Sequence, residues 1–167
     1  MRHINRLGLS AATGLAAALC CAPLASAAVS ATDPQPTGDK EEVIRLTAVA
    51  TQATSLDFPA AGPSQGDELI VAGSVLQNST TVGTYDETCT MTRTGSGDSS
   101  TVQCVVTLTL PKGKITVQGT FPITSTGPGD ITLAITGGTG VYRTARGYVQ
   151  AVNTSSTETQ VTLHVIH

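Results

Sequence analysis

Ala134-Ile135-Thr136-Gly137-Gly138-Thr139-Gly140-Val141-Tyr142-Arg143-Thr144-Ala145-Arg146-Gly147-Tyr148-Val149 is the stretch on which the fold turns. It reads as the end of one strand, a glycine turn and a second strand running from Tyr142. Two strands joined by so short a link favour an antiparallel pair. Glycines supply the positive φ that a tight turn needs. A phosphate-cradling loop fits poorly, because no Lys-Ser/Thr follows and the next element is a strand rather than a helix.

The same pattern repeats outward along the chain. Short runs rich in Thr, Val and Gly alternate between polar and apolar and are separated by turn signals, and no convincing helical period follows residue 27. Eight strands are expected near Glu42–Ala53, Glu68–Leu76, Thr81–Arg93, Ser100–Leu110, Lys114–Phe121, Asp130–Thr136, Tyr142–Asn153 and Thr157–Ile166. Eight antiparallel strands can close on themselves and so lose their exposed edges. The expected class is therefore all-β, an eight-stranded antiparallel barrel, with a β-sandwich as the competing architecture. A barrel of this size is either filled by side chains or holds one small ligand.

Residues 1–27 read as a cleaved signal peptide. Arg2, His3 and Arg6 precede an Ala-rich apolar run from Leu7 to Leu24, and Ala25-Ser26-Ala27 forms a small-x-small cleavage site. Ser10, Thr13, Gly14 and Pro23 interrupt that run, which argues against a stable membrane anchor. Large Leu19 before Cys20 argues against lipidation. The expected organisation is a signal at 1–27, a flexible segment at 28–40 and one barrel domain at 41–167, in a secreted protein. Loss of Arg2 and Arg6 leaves seven of nine basic residues against twelve acidic ones, a net charge near −5. Such a chain, almost without aromatics, lacks the electrostatic footing for nucleic acid.

Cys20 and Cys21 leave with the signal. In a secreted chain the remaining pair, Cys89 and Cys104, reads as a disulfide. No His lies near the pair, and His164 and His167 sit at the far end, so no metal site is expected. If the two cysteines face each other, the hairpin turn centres between Ser96 and Gly97, inside a strong turn signal. This register puts Tyr85, Glu87, Cys89 and Met91 opposite Leu108, Val106, Cys104 and Val102. Their shared face is the apolar one and points inward. Glu87 then sits among apolar neighbours, where a carboxylate is costly unless it is paired or protonated. The competing reading is a Glu87 wetted at a barrel mouth. Asn78-Ser79-Thr80 and Asn153-Thr154-Ser155 match the glycosylation pattern. No Gly-x-Ser-x-Gly elbow is present to support serine-hydrolase chemistry.

The Gly-Gly-Thr-Gly turn followed by Ala145-Arg146-Gly147-Tyr148 resembles the C-terminal signature of dirigent proteins. The run from Val161 to His167 resembles their terminal strand. Gly62-Pro63-Ser64-Gln65-Gly66-Asp67, Val82-Gly83, Cys89 and Cys104 are similar to a bacterial group with the allene oxide cyclase-like barrel. The resemblance spans about residues 42–167. It implies a barrel with a central hydrophobic cavity that holds a reactive chain in one conformation without a cofactor, an orientation effect. It also implies that Arg146 lines the cavity. Strand alternation would carry Tyr142, Thr144, Tyr148 and Gln150 to the same face. Val43 to Ala50 offers no match for the acidic residue of the first dirigent strand, and Cys89 stands where that family has a Tyr.

The combined expectation is a secreted barrel that binds a hydrophobic small molecule and acts as a cofactor-independent cyclase or isomerase. Its alternative is a non-catalytic dirigent-type or ligand-carrying protein. Arg146, Glu87 and Tyr148 are the candidate catalytic groups. Tyr85, Tyr142, Gln150, Val106 and Leu108 are the candidate ligand contacts. A structural ion pair, with Glu87 as one candidate partner, is the competing role for Arg146. A homo-oligomer, dimer or trimer, is compatible with such a barrel.

Overall fold

The computed structural model describes residues 40–58, 62–95 and 99–167. The expected signal peptide and nearly all of the lead-in lie outside the described residues. The elements in chain order are β1 (Glu41–Leu56), β2 (Glu68–Gln77), β3 (Thr80–Thr94), β4 (Ser100–Leu110), β5 (Gly113–Thr124), β6 (Gly127–Pro128), β7 (Ile131–Gly138), β8 (Arg146–Asn153) and β9 (Glu158–Ile166). A 3-10 turn at Gly140–Tyr142 separates β7 from β8. β6 is a two-residue strand that folds back on the end of β5. The other eight close an antiparallel barrel in the order β1-β2-β3-β4-β5-β7-β8-β9, with β9 returning to β1 and β4 to β5. Closure pairs every barrel strand on both sides, which removes the edges that would recruit other chains. Among the described residues no helix is long and apolar enough to cross a membrane.

Local chemistry explains the corners. Asn78 and Ser79 both have positive φ, 50° and 64°, and link Gln77 to its partner Thr80. Two successive positive-φ residues match the right-handed twist of the flanking strands. Between β3 and β4, Cys89 faces Cys104, Glu87 faces Val106 and Tyr85 faces Leu108, the register expected from the cysteines. One extra residue, Thr92, then bulges out, and Thr94 faces Ser100. The bulge moves the centre of the hairpin to residue 97, half a residue beyond the expected centre. The tip itself, residues 96–98, lies outside the described residues. Cys89 and Cys104 are joined as a disulfide with a sequence separation of 15. A loop of that length contributes about 3 kcal/mol by restricting the unfolded chain.

The interior is the alternate set of every strand. Ile131, Leu133 and Ile135 of β7 are buried while Thr132, Ala134 and Thr136 are exposed. Val75, Ile115, Leu163 and Val165 are fully buried and fill one end of the barrel. None of them lines the cavity at the other end. That split, one packed end and one hollow end, positions the site.

Candidate functional site

The hollow end holds a cavity of about 100 Å³. Its wall is aliphatic and aromatic, built from Leu108, Val117, Phe121, Leu133, Val149 and Val161 among others. Tyr85 and Glu87 project into it from β3, and Val106 from β4 stands beside them. Asn153 and Thr159 supply the remaining polar lining. The Thr159 hydroxyl donates to Asn153 Oδ1 at 2.7 Å, across paired positions of β8 and β9.

Backbone close to Tyr85 is shaped for its ring. Gly73 is its direct partner on β2. A Cβ at Gly73 would lie 2.6 Å from the Tyr85 ring and 2.1 Å from the Val49 carbonyl oxygen. The absent side chain lets the ring lie against β2. Tyr85 is buried, and its phenol is pushed up from the ordinary range, first by burial and then by the neighbouring Glu87.

Among the described residues Glu87 is the one carboxyl lining the cavity, and part of its surface remains accessible. Burial raises its carboxyl above the ordinary glutamate range. It has no ion-pair partner among the described residues. Its Oε1 lies 3.0 Å from Cys89 Sγ. Glu87, Cys89 and Cys104 place an oxygen and two sulfurs within 4.8 Å of one another. That donor set would suit a thiophilic metal only as free thiolates, and here the sulfurs are bonded to each other.

Arg146, Tyr148 and Gln150 are a correction. All three are exposed on the outer face of β8, and the residues of that strand which line the cavity are Val149, Ala151 and Asn153. Tyr148 stacks outside the barrel on His164, with ring centroids 4.4 Å apart and planes 8° apart. The His164 ring in turn contacts the Glu41 carboxylate. Arg146 on the outside and Glu87 in the lumen do not form the ion pair considered for them. Tyr142 is buried but does not line the cavity. It packs toward His167, with centroids 6.3 Å apart, and its phenol is pushed up by burial and then by Glu42.

The cause of this correction is local. A continuous strand from Tyr142 would put Tyr142 and Arg146 on one face. The 3-10 turn breaks that alternation, burying Tyr142 and Ala145 and leaving Arg146 outside. The turn is held by Tyr142 N–H donating to the Thr139 carbonyl at 3.1 Å and Ala145 N–H donating to the Tyr142 carbonyl at 3.0 Å. Gly147 shows why the motif needs its glycine. Its φ is 119°, and a Cβ would meet the His164 carbonyl oxygen at 2.0 Å. The Ala-Arg-Gly-Tyr segment therefore docks β8 on β9, with Arg146 and Tyr148 on the outer face.

Phe121, Leu133, Val149, Asn153 and Thr159 are lining residues not singled out from the sequence. The alternation of β5 and β7 could have found the first two, and the apolar set of β8 the third. At the β1–β2 connection, Asp67 accepts from Phe58 N–H at 3.0 Å, Ser64 N–H at 2.7 Å and the Ser64 hydroxyl at 2.8 Å. These bonds hold its carboxyl below the ordinary range. Asp67 is thus a turn residue, the reading that loop acids usually deserve.

No curated protein matches the chain by sequence. Solved structures similar in fold include a pyocyanin demethylase, at 24% identity and a TM-score of 0.66, covering 74% of this chain and 99% of that one. AbnU, an exo-specific intermolecular Diels-Alderase, is similar at 13% identity and a TM-score of 0.60, covering 75% and 98%. The pterocarpan synthase dirigent protein PsPTS1 is similar at 18% identity and a TM-score of 0.57, covering 77% and 96%. At these identities the likeness is one of fold. Residues 47–165 match the family model of the allene oxide cyclase barrel-like domain. That match runs from the middle of β1 almost to the end of β9 and takes in the glycine turn and the lumen acid alike: the chain belongs to the allene oxide cyclase-like barrel family.

Proposed function

We propose that the barrel is a secreted, cofactor-independent cyclase or isomerase whose apolar lumen folds a small hydrophobic substrate against Glu87. The observation that carries this reading is a desolvated carboxyl, without a cationic partner among the described residues, facing an apolar cavity. Such a group stays protonated at pH values where an ordinary glutamate is ionised. A neutral carboxylic acid donates a hydrogen bond or a proton to a substrate carbonyl as charge develops there. General acid catalysis of this kind is worth about 10²–10⁴ in rate. Tyr85 stands beside it as a second hydroxyl donor, and the walls contribute by fixing one conformer. Likeness in fold to a Diels-Alderase and to a dirigent protein supports a role in steering ring closure or coupling.

The size of the site refines the substrate. A dry engineered cavity of about 150 Å³ accepts benzene, so about 100 Å³ holds little more than one small ring or a short chain end. A larger substrate must project through the mouth or displace wall side chains. A non-catalytic carrier is the second reading. It is favoured by a lining in which, among the described residues, Tyr85 and Glu87 are the only titratable groups.

The test starts from ligand capture. The secreted protein is incubated with its own culture extract, and retained masses are read by native mass spectrometry. The retained compound is then followed over time with wild type and with Glu87→Gln. Wild type should convert it, and Glu87→Gln should bind it but convert it at least about 100-fold more slowly. Binding without conversion by wild type supports the carrier. Equal conversion by both proteins removes Glu87 from the chemistry.

A further inference from the structure

We propose that the Cys89–Cys104 disulfide positions the proton of Glu87, accepting it in a hydrogen bond at Cys89 Sγ, so that reduction of the bond weakens the acid form. This deepens the function proposed above, in which Glu87 is the lumen's proton donor.

The geometry carries the inference. Glu87 Oε1 and Cys89 Sγ are 3.0 Å apart on the same inward face of β3, two residues apart. A sulfur within a disulfide carries no hydrogen, so it cannot donate. A hydrogen bond at this contact therefore requires the carboxyl to hold the proton and the sulfur to accept it, a weak but real capacity. The two sulfurs are held in place by burial: Cys104 is 0% exposed and Cys89 6%. The groups around the carboxyl leave little competition. Val71 faces it from β2 and Val106 from β4, and among the described residues Tyr85 is the one other titratable group lining the cavity. No cation among these residues rewards ionisation.

Reduction reverses the polarity of the contact. A dithiol reductant transfers two electrons and two protons to the bond, giving two cysteine thiols and an oxidised, cyclic disulfide of the reductant. Cys89 then carries S–H. It donates to Glu87, and a donor favours the carboxylate. The Glu87 proton leaves to solvent through the mouth of the cavity. One hydrogen bond exchanged for its opposite corresponds to about a tenfold change in proton affinity.

The test reads the carboxyl itself and needs no substrate, so its failure is separable from failure of the proposed activity. In the oxidised protein, an infrared difference spectrum of wild type minus Glu87→Gln at neutral pH should show the carbonyl stretch of a protonated acid at Glu87. A carboxylate band overturns the proposal, because the contact would then be a charged oxygen against sulfur. Next, the Glu87 side-chain carboxyl carbon is followed by ¹³C NMR against pH in oxidised protein, in dithiol-reduced protein and in Cys104→Ala, which leaves Cys89 as a free thiol. Both reduced forms should lose the proton about tenfold more readily than the oxidised form. The Cys89→Ala/Cys104→Ala protein, with neither acceptor nor donor, should fall between them. Equal midpoints in oxidised and reduced barrels with unchanged far-UV circular dichroism overturn it. The infrared result decides on its own if the reduced forms do not stay folded.

Discussion

At the scale of single residues, Glu87 is where the fold works against itself. Its carboxyl has an ordinary midpoint of 4.5, and burial in the barrel raises it. Between the unfolded and folded midpoints the native state binds more protons than the unfolded chain, so stability falls as pH rises through that window. The full stability is present below about 4.5 and is lost progressively as Glu87 ionises in place. Every tenfold gain in proton affinity on folding corresponds to about 1.4 kcal/mol. Glu87→Gln cannot ionise. Denaturant melts from acid to mildly alkaline pH should give a flatter stability profile for Glu87→Gln, with the variant more stable than wild type on the alkaline side. Identical profiles would mean that Glu87 is solvated in the native barrel. If the acid form is the active one, conversion of a captured ligand should fall through the same folded midpoint. The residue was legible in the sequence because a cysteine pair fixed the register, and the register placed a carboxylate in an apolar row. Its contact with Sγ was not legible, since spacing gives the face of a side chain and not its rotamer.

At the scale of elements, the eight barrel strands follow from alternation and turn chemistry, and each expected run overlaps an observed one. The face of β8 does not follow from the motif that draws attention to it. The hairpin of β3 and β4 sorts itself by putting its apolar row inward, and the same criterion applied to β8 selects Val149 and Ala151 over Arg146, Tyr148 and Gln150. The unusual residues of a family motif are as readily structural as chemical, and here Gly147 makes the difference visible. Gly147→Ala forces a Cβ to within 2.0 Å of a backbone oxygen at a φ of 119°. It should cost about 2 kcal/mol or more and lower the thermal midpoint. Tyr148→Ala removes an exposed ring stacked on His164. It should leave lumen ligand affinity unchanged within a factor of about two, since an exposed stacking pair is worth only about 1 kcal/mol and lies outside the cavity. A large loss of ligand affinity in Tyr148→Ala would return the chemistry to the outer face.

At the scale of the whole molecule, closing the sheet settles how much space the chain can offer. An eight-stranded barrel has an interior just wide enough for side chains or one small ligand, and here fully buried side chains such as Ile115 and Leu163 occupy one part of it while another holds about 100 Å³. The boundary between filled and hollow is therefore set by a few side chains, and Phe121 is the largest purely apolar wall residue able to move it. It lines the cavity from β5 and is 9% exposed. Phe121→Ala removes a ring from a strand held by its pairing with β4, where Phe121 faces Val102, so the neighbouring backbone cannot readily collapse to fill its place. Such truncations cost about 3–5 kcal/mol, and the closed barrel with its cross-strand disulfide is the kind of scaffold able to absorb that loss. The enlarged lumen should take up aromatic probes larger than the single small ring that wild type has room for, as dry engineered cavities do. Calorimetric titration with benzene and naphthalene is the direct measurement. Wild type should bind benzene weakly and exclude naphthalene, and Phe121→Ala should bind both probes, naphthalene with the greater gain. The same titration on Phe121→Ala/Glu87→Gln should keep that gain, because an apolar probe asks nothing of the acid. No gain in Phe121→Ala would show that the lumen collapses, and the space for a substrate would then have to lie at the mouth, beside Asn153 and Thr159.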